Sequence, residues 1–231
     1  MCKFDNLSKT VCFSLYFFYY FFYENDVKAI IEYINKKYNS NNIDLFINDI
    51  ADIIDANIIS ISKYDFDICG ASVNALCSDP SFSCAINTHL DKSHICTHSY
   101  IDFNFHKHIL SFRIDLEIST CGSIIAEKSI KYVLKKFNAD IIVMDIIIRG
   151  YRSNNKFEKI YFDNSIKESI EALNTTEVEK YDIVYMTNNF KYLKCKMIKN
   201  KKYYRDYLGR SDVLAHNNVI FESINDLIKN I

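Results

Sequence analysis

The chain has 231 residues, 49% of them hydrophobic, which suits one large domain or two small ones with a sizeable core. Its 28 Lys and Arg stand against 29 Asp and Glu, and a net charge of −1 removes the electrostatic case for a nucleic-acid partner. One proline, four glycines and no tryptophan leave few markers of turns.

Eight cysteines, Cys2, Cys12, Cys69, Cys77, Cys84, Cys96, Cys121 and Cys195, form no CxxC pair. Their scatter does not suit a disulfide scaffold and fits small buried thiols in a reducing, cytoplasmic compartment. Residues 11–23 are largely aromatic and end directly at Glu24, with no small-residue cleavage site. They are too few to cross a bilayer, so a buried strand is expected rather than a signal or membrane anchor.

Read in chain order, a strand is expected at about 11–20 and a helix at 27–38, where apolar residues recur every three or four positions. A second helix at 44–55 would bury Leu45, Ile47, Ile50, Ile53 and Ile54. Strands follow at 58–62 and 71–77, and 78–88, which holds Pro80, reads as loop. The clearest strand is 110–118, where Leu110, Phe112, Ile114, Leu116 and Ile118 alternate with Ser111, Arg113, Asp115 and Glu117. Ser123 is a candidate cap for a helix at 124–137 with Glu127 on its wet side. An apolar strand is expected at 141–148, further strands at 157–162, 181–187 and 190–198, and helices at 164–173 and 217–230. No repeat or linker divides the chain. The clean polar face of 110–118 favours a single α+β domain, a mainly antiparallel sheet covered by helices on one side.

The chemistry concentrates in His89-Leu90-Asp91-Lys92-Ser93-His94-Ile95-Cys96-Thr97-His98 and, 28 positions beyond Ser93, in Ser119-Thr120-Cys121-Gly122. The Ser93 hydroxyl can add to the Lys92 carbonyl and convert the peptide into an ester. A base that removes the Ser93 α-proton then expels the ester by β-elimination, and hydrolysis of the dehydroalanine leaves a pyruvoyl cap. His98 is a suitable base, because imidazole titrates near working pH. A pyruvoyl ketone can form a Schiff base with a substrate amine and accept the electrons released when an α-carboxylate leaves as CO2. A protonated thiol such as Cys121 can return a proton afterwards.

These two motifs resemble those of bacterial S-adenosylmethionine decarboxylase proenzymes in their larger, proteobacterial form. Weaker matches are Asn6-Leu7-Ser8-Lys9, Gly70-Ala71-Ser72-Val73 and Asp145 through Arg149-Gly150-Tyr151, in family order over roughly residues 4–200. The resemblance implies a cut between Lys92 and Ser93, giving a smaller chain 1–92 and a larger, pyruvoyl-bearing chain 93–231. It implies Ser93 as pyruvoyl precursor, His98 as processing base and Cys121 as proton donor. The implied activity converts S-adenosylmethionine to its decarboxylated form, the aminopropyl donor for spermidine. The implied assembly is an oligomer of such two-chain units whose αβ layers pair into a four-layer αββα sandwich. Mg2+ is an implied activator, with no ligand set evident in the sequence. The family's Tyr-Pro-Glu element is here Tyr100-Ile101-Asp102, the loop before His89 is short, and the last 30 residues match poorly.

Other readings remain open at this level. The chain could be an inactive relative with a regulatory or structural role, or a pyruvoyl decarboxylase of an amino acid. His94, Cys96 and His98 alternate and could share one face, which suggests zinc, but no fourth ligand is evident. Glu24 and Glu117 are candidate polar helpers or plain solvated carboxylates. The Phe/Tyr run could stack on adenine or pack a core. His106-Lys107-His108 reads as a solvated turn.

Overall fold

The computed structural model describes residues 7–78, 93–121, 124–150, 152–153, 159–160, 178–189 and 192–199, together with 222 and 226. Lys92, the expected loop 78–88 except Ser78, which ends β3, the Ser123 cap, most of strand 157–162 and the helices at 164–173 and 217–230 lie outside the described residues, apart from helical positions 222 and 226.

The elements run β1 (Ser8–Tyr20), α1 (Glu24–Tyr38), α2 (Ser40–Ile53), β2 (Asn57–Asp65), β3 (Ala71–Ser78), β4 (Ser93–Asn104), β5 (Ile109–Cys121), α3 (Ser129–Phe137), β6 (Ile141–Arg149), β7 (Arg152–Ser153), β8 (Lys159–Ile160), β9 (Tyr181–Asn189) and β10 (Tyr192–Lys199). Eight strands form one sheet in the order β2-β3-β4-β5-β1-β6-β10-β9, with every neighbouring pair antiparallel. β7 and β8 pair separately. The α+β expectation of an antiparallel sheet with helices on one side therefore holds.

Strand alternation builds the core. On β1, Val11, Phe13, Leu15, Phe17 and Tyr19 are buried, while Cys12, Ser14, Tyr16 and Tyr20 are half-buried on the other face. The buried rows of the strands meet Ile30, Ile34 and Tyr38 of α1, Ile43, Ile47, Ile50 and Ala51 of α2, and Ile130, Val133, Leu134 and Phe137 of α3. A smaller cluster of Phe18, Ile109, Ile141, Val143 and Ile198 forms separately. The Phe/Tyr run is thus mainly core.

Local chemistry sets the helix ends. The Asp26 carboxylate accepts the backbone N–H groups of Phe22 and Tyr23, both at 3.1 Å, and α1 begins at Glu24 rather than near residue 27. The Asn39 side chain accepts from the Asn42 N–H at 2.9 Å and starts α2 at Ser40. Two expectations are corrected. Leu45 is 63% exposed, because it stands two residues from Ile43 and Ile47, about 200° around the helix from each. Glu127 is buried, because Ala126–Lys128 form a 3-10 turn before α3 and break the helical phase assumed for it.

A buried ion pair ties three strands together. Lys199 Nζ donates to Asp140 Oδ1 at 2.9 Å and to the Asn138 carbonyl at 2.6 Å, while Asp140 Oδ2 accepts from the Phe18 N–H at 2.9 Å. Both side chains are essentially inaccessible. Gly70, at φ +105°, lies where a Cβ would stand 2.8 Å from the Ser99 carbonyl oxygen, so this bend into β3 requires glycine. Among the described residues no helix is long and apolar enough to cross a membrane.

Candidate active site

β4 and the end of β5 bring two of the sequence-identified residues together. Along β4, Ser93, Ile95, Thr97 and Ser99 are buried, and His94, Cys96 and His98 are half-buried. Ser93 opens the strand beside Cys77 of β3 and is only 4% exposed. Cys121 closes β5. Its backbone N–H donates to Ser93 Oγ at 3.4 Å, and its Sγ lies 4.0 Å from the same oxygen, the long limit for a sulfur contact. Thr120 fixes this strand end through its hydroxyl, which donates toward the Lys9 carbonyl (3.5 Å) or the Ile124 carbonyl (3.4 Å). A buried hydroxyl, a backbone donor and a thiol therefore meet where β4 begins and β5 ends.

His98 lies elsewhere. It is five residues beyond Ser93 on one continuous strand, and an odd spacing places the two side chains on opposite faces. Their Cα atoms are about 16 Å apart at the ordinary strand rise. The His98 Nε2 instead meets Cys96 Sγ at 3.4 Å. On the same half-buried face, His94 Nε2 meets Glu117 Oε1 at 3.2 Å. Asp115 Oδ1 accepts the Ser14 hydroxyl at 2.7 Å, and its Oδ2 is 3.1 Å from Arg113. Tyr192 donates to Asp145 at 2.8 Å. His94, Cys96 and His98 do share a face, yet among the described residues no group of three or more His, Cys, Asp or Glu is arranged to hold a metal ion. Glu24 is exposed beyond the far end of β1, about 40 Å from the Ser8–Cys121 end. His106, Lys107 and His108 form the exposed β4–β5 turn.

A scan against protein-family models gives no match. Comparison with individual proteins does. The chain is 33% identical to an S-adenosylmethionine decarboxylase proenzyme of Alkaliphilus oremlandii, over 91% of this chain and 85% of that one. The chain belongs to the S-adenosylmethionine decarboxylase proenzyme family. Family members of the same name from Clostridium perfringens and Stenotrophomonas maltophilia are 32% and 34% identical over 90% and 81% of this chain, and over 84% and 76% of theirs. Among solved structures, the adenosylmethionine decarboxylase of Aquifex aeolicus aligns at 18% identity over 63% of this chain and 90% of that one, with a TM-score of 0.37, too loose a likeness to carry weight.

In this S-adenosylmethionine decarboxylase proenzyme relative, several other described thiols are buried or half-buried. Burial pushes the Cys77 and Cys195 thiols up to about 11, and both side chains are inaccessible. Burial likewise raises Cys12 and Cys69 to about 11, with Glu117 adding to the effect at Cys12. These four are held as neutral thiols. The partnership of Cys96 with His98 has a sequence signal, an i, i+2 pair on a strand, which the zinc reading registers without assigning the contact.

Proposed function

We propose that this chain cuts itself between Lys92 and Ser93 and then decarboxylates S-adenosylmethionine. The observation that carries the reading is the meeting of Ser93 and Cys121 at the start of β4 and the end of β5, in a chain of this family. Ser93 Oγ attacks the Lys92 carbonyl, the C–N bond breaks, and the new ester frees the Ser93 amine. Removal of the Ser93 α-proton forms the Cα–Cβ double bond and expels the Lys92 carboxylate. Addition of water and loss of ammonia leave a ketone at the head of chain 93–231. The Cys121 N–H fits this site because it already holds Ser93 Oγ and can orient the hydroxyl before attack. The pyruvoyl group supplies an electron sink for the departing CO2. Cys121, the thiol beside that position, returns the proton to the product.

The base is His98, acting from a second copy of the chain. A separation of about 16 Å along a strand is beyond the reach of an imidazole toward its own Ser93. A second sheet laid on the half-buried face can bring its own His98 to the strand end where Cys121, on that face, touches Ser93, which gives the four-layer αββα pairing and an oligomer of two-chain units. Stimulation by Mg2+ stays with the family resemblance. The described residues do not fit a metal ion, so no step passes through it, and assaying with Mg2+ after chelation tests it.

Intact mass spectrometry tests the self-cut. Two fragments, 1–92 and 93–231, the second carrying a ketone in place of its amino terminus, are expected, and an uncut chain that still releases CO2 from S-adenosylmethionine would overturn the reading. Coexpressing Ser93→Ala with His98→Ala chains tests the second copy: the His98→Ala chain should be cut only in the mixture. If it stays uncut there, His98 does not act between copies.

A further inference from the structure

Cys96 stands two residues before His98, with its Sγ 3.4 Å from Nε2. Among the described residues this is the one hydrogen bond that fixes the ring, which otherwise lies beside Tyr100 with centroids 6.4 Å apart. The other titratable neighbours on this face are already engaged. Asp115, the register partner of His98 on β5, holds Ser14 and Arg113. Glu117, the partner of Cys96, holds His94. On β3 the opposite residues are Ser72 and Asn74, which carry no charge.

We infer that Cys96 is a positioning residue for His98, committing Nε2 so that Nδ1 is the nitrogen that takes the Ser93 α-proton. This rests on the reading of His98 as the processing base. A thiol can either donate to Nε2 or accept from its N–H. With Nε2–H pointing at Sγ, Nδ1 keeps its lone pair. The proton then passes from Ser93 Cα to Nδ1, the C–H electrons form the Cα–Cβ bond, and the ester oxygen leaves with Lys92. Burial, and secondly the Glu117 charge, raise the Cys96 thiol. It therefore stays neutral and does not draw a proton onto the ring as a thiolate would.

The test follows newly made full-length chain by intact mass, with hydroxylamine to cleave any accumulated ester. Cys96→Ala and Cys96→Val should let the ester form but slow its elimination about tenfold or more, part of the roughly 10²–10⁴ that a positioned base supplies. Cys96→Ser, which keeps a donor and acceptor, should restore most of the rate and the parent pH profile of elimination. Should Cys96→Ser stall as Cys96→Ala does, or should Ala and Val run at the parent rate while His98→Ala stalls, the role of Cys96 is overturned and that of His98 stands. If His98→Ala itself converts at the parent rate, the reading of His98 fails first.

Discussion

The two faces of this sheet use the same strands for opposite ends. The helix-covered face of β1 and β5 carries Phe13, Leu15, Phe17, Phe112, Ile114 and Leu116, all buried against α1, α2 and α3. The alternate positions carry Cys12, Ser14, Tyr16, Arg113, Asp115 and Glu117, half-buried or exposed, with Asp115 bonded to Ser14 and paired with Arg113. Stability is concentrated on one face, which leaves the other free to hold titratable groups that a core could not bear. Ser93 lies on the covered side, a buried hydroxyl at the start of β4.

Substitutions can separate the two faces. Ser93→Ala should give the largest effect, complete loss of the cut with an unchanged melting temperature; any residual 93–231 fragment would remove Ser93 from the chemistry. Lys199→Met, which strands the Asp140 carboxylate in the interior, should cost about 3–5 kcal/mol in urea unfolding. A loss under about 1 kcal/mol, the figure for exposed pairs such as Lys128–Asp55, would mean that the pair is not truly desolvated. Ile47→Ala on the covered face should cost roughly 2–5 kcal/mol. Alkali should act through Cys77 and Cys195. Their folded values of about 11 exceed the ordinary 9.0, so the native state keeps protons that the unfolded chain releases. Stability should be level below about pH 9 and fall as pH rises toward 11, and a flat melting temperature across that window would count against their burial. Leu45→Ala, on the same helix as Ile47 but facing solvent, should change stability by no more than about 0.5 kcal/mol.

Where apolar residues alternate, the sequence announces the fold. Leu110 through Ile118 shows its buried row without ambiguity, and β5 follows it. β4 carries no such mark, because three of its inward residues are Ser93, Thr97 and Ser99, whose hydroxyls hide a buried row behind polar names. The Ser99 hydroxyl shows why they can be buried: its oxygen accepts from the Ala71 N–H at 2.7 Å and lies 3.2 Å from the Ala71 carbonyl. Leu45 and Glu127 mislead because helix phase depends on where the first turn begins, which a capping side chain or a 3-10 turn decides. At the site, Ser93 and Cys121 are legible as a pair from their motifs. The separation of His98 from Ser93 was also available in the odd number between them, once the segment is known to be extended.

The strand order bears on what becomes of a chain severed before Ser93. β1, β2 and β3 belong to residues 1–92, and all other strands to residues 93–231. β1 is zipped along its length to β5 and along Ser8–Tyr16 to β6, both from the later piece, while β3 is laced to β4. The shorter piece is thus dovetailed into the middle of the longer, and the halves can part only by melting the whole fabric. Breaking the covalent thread would leave a joint that needs no thread.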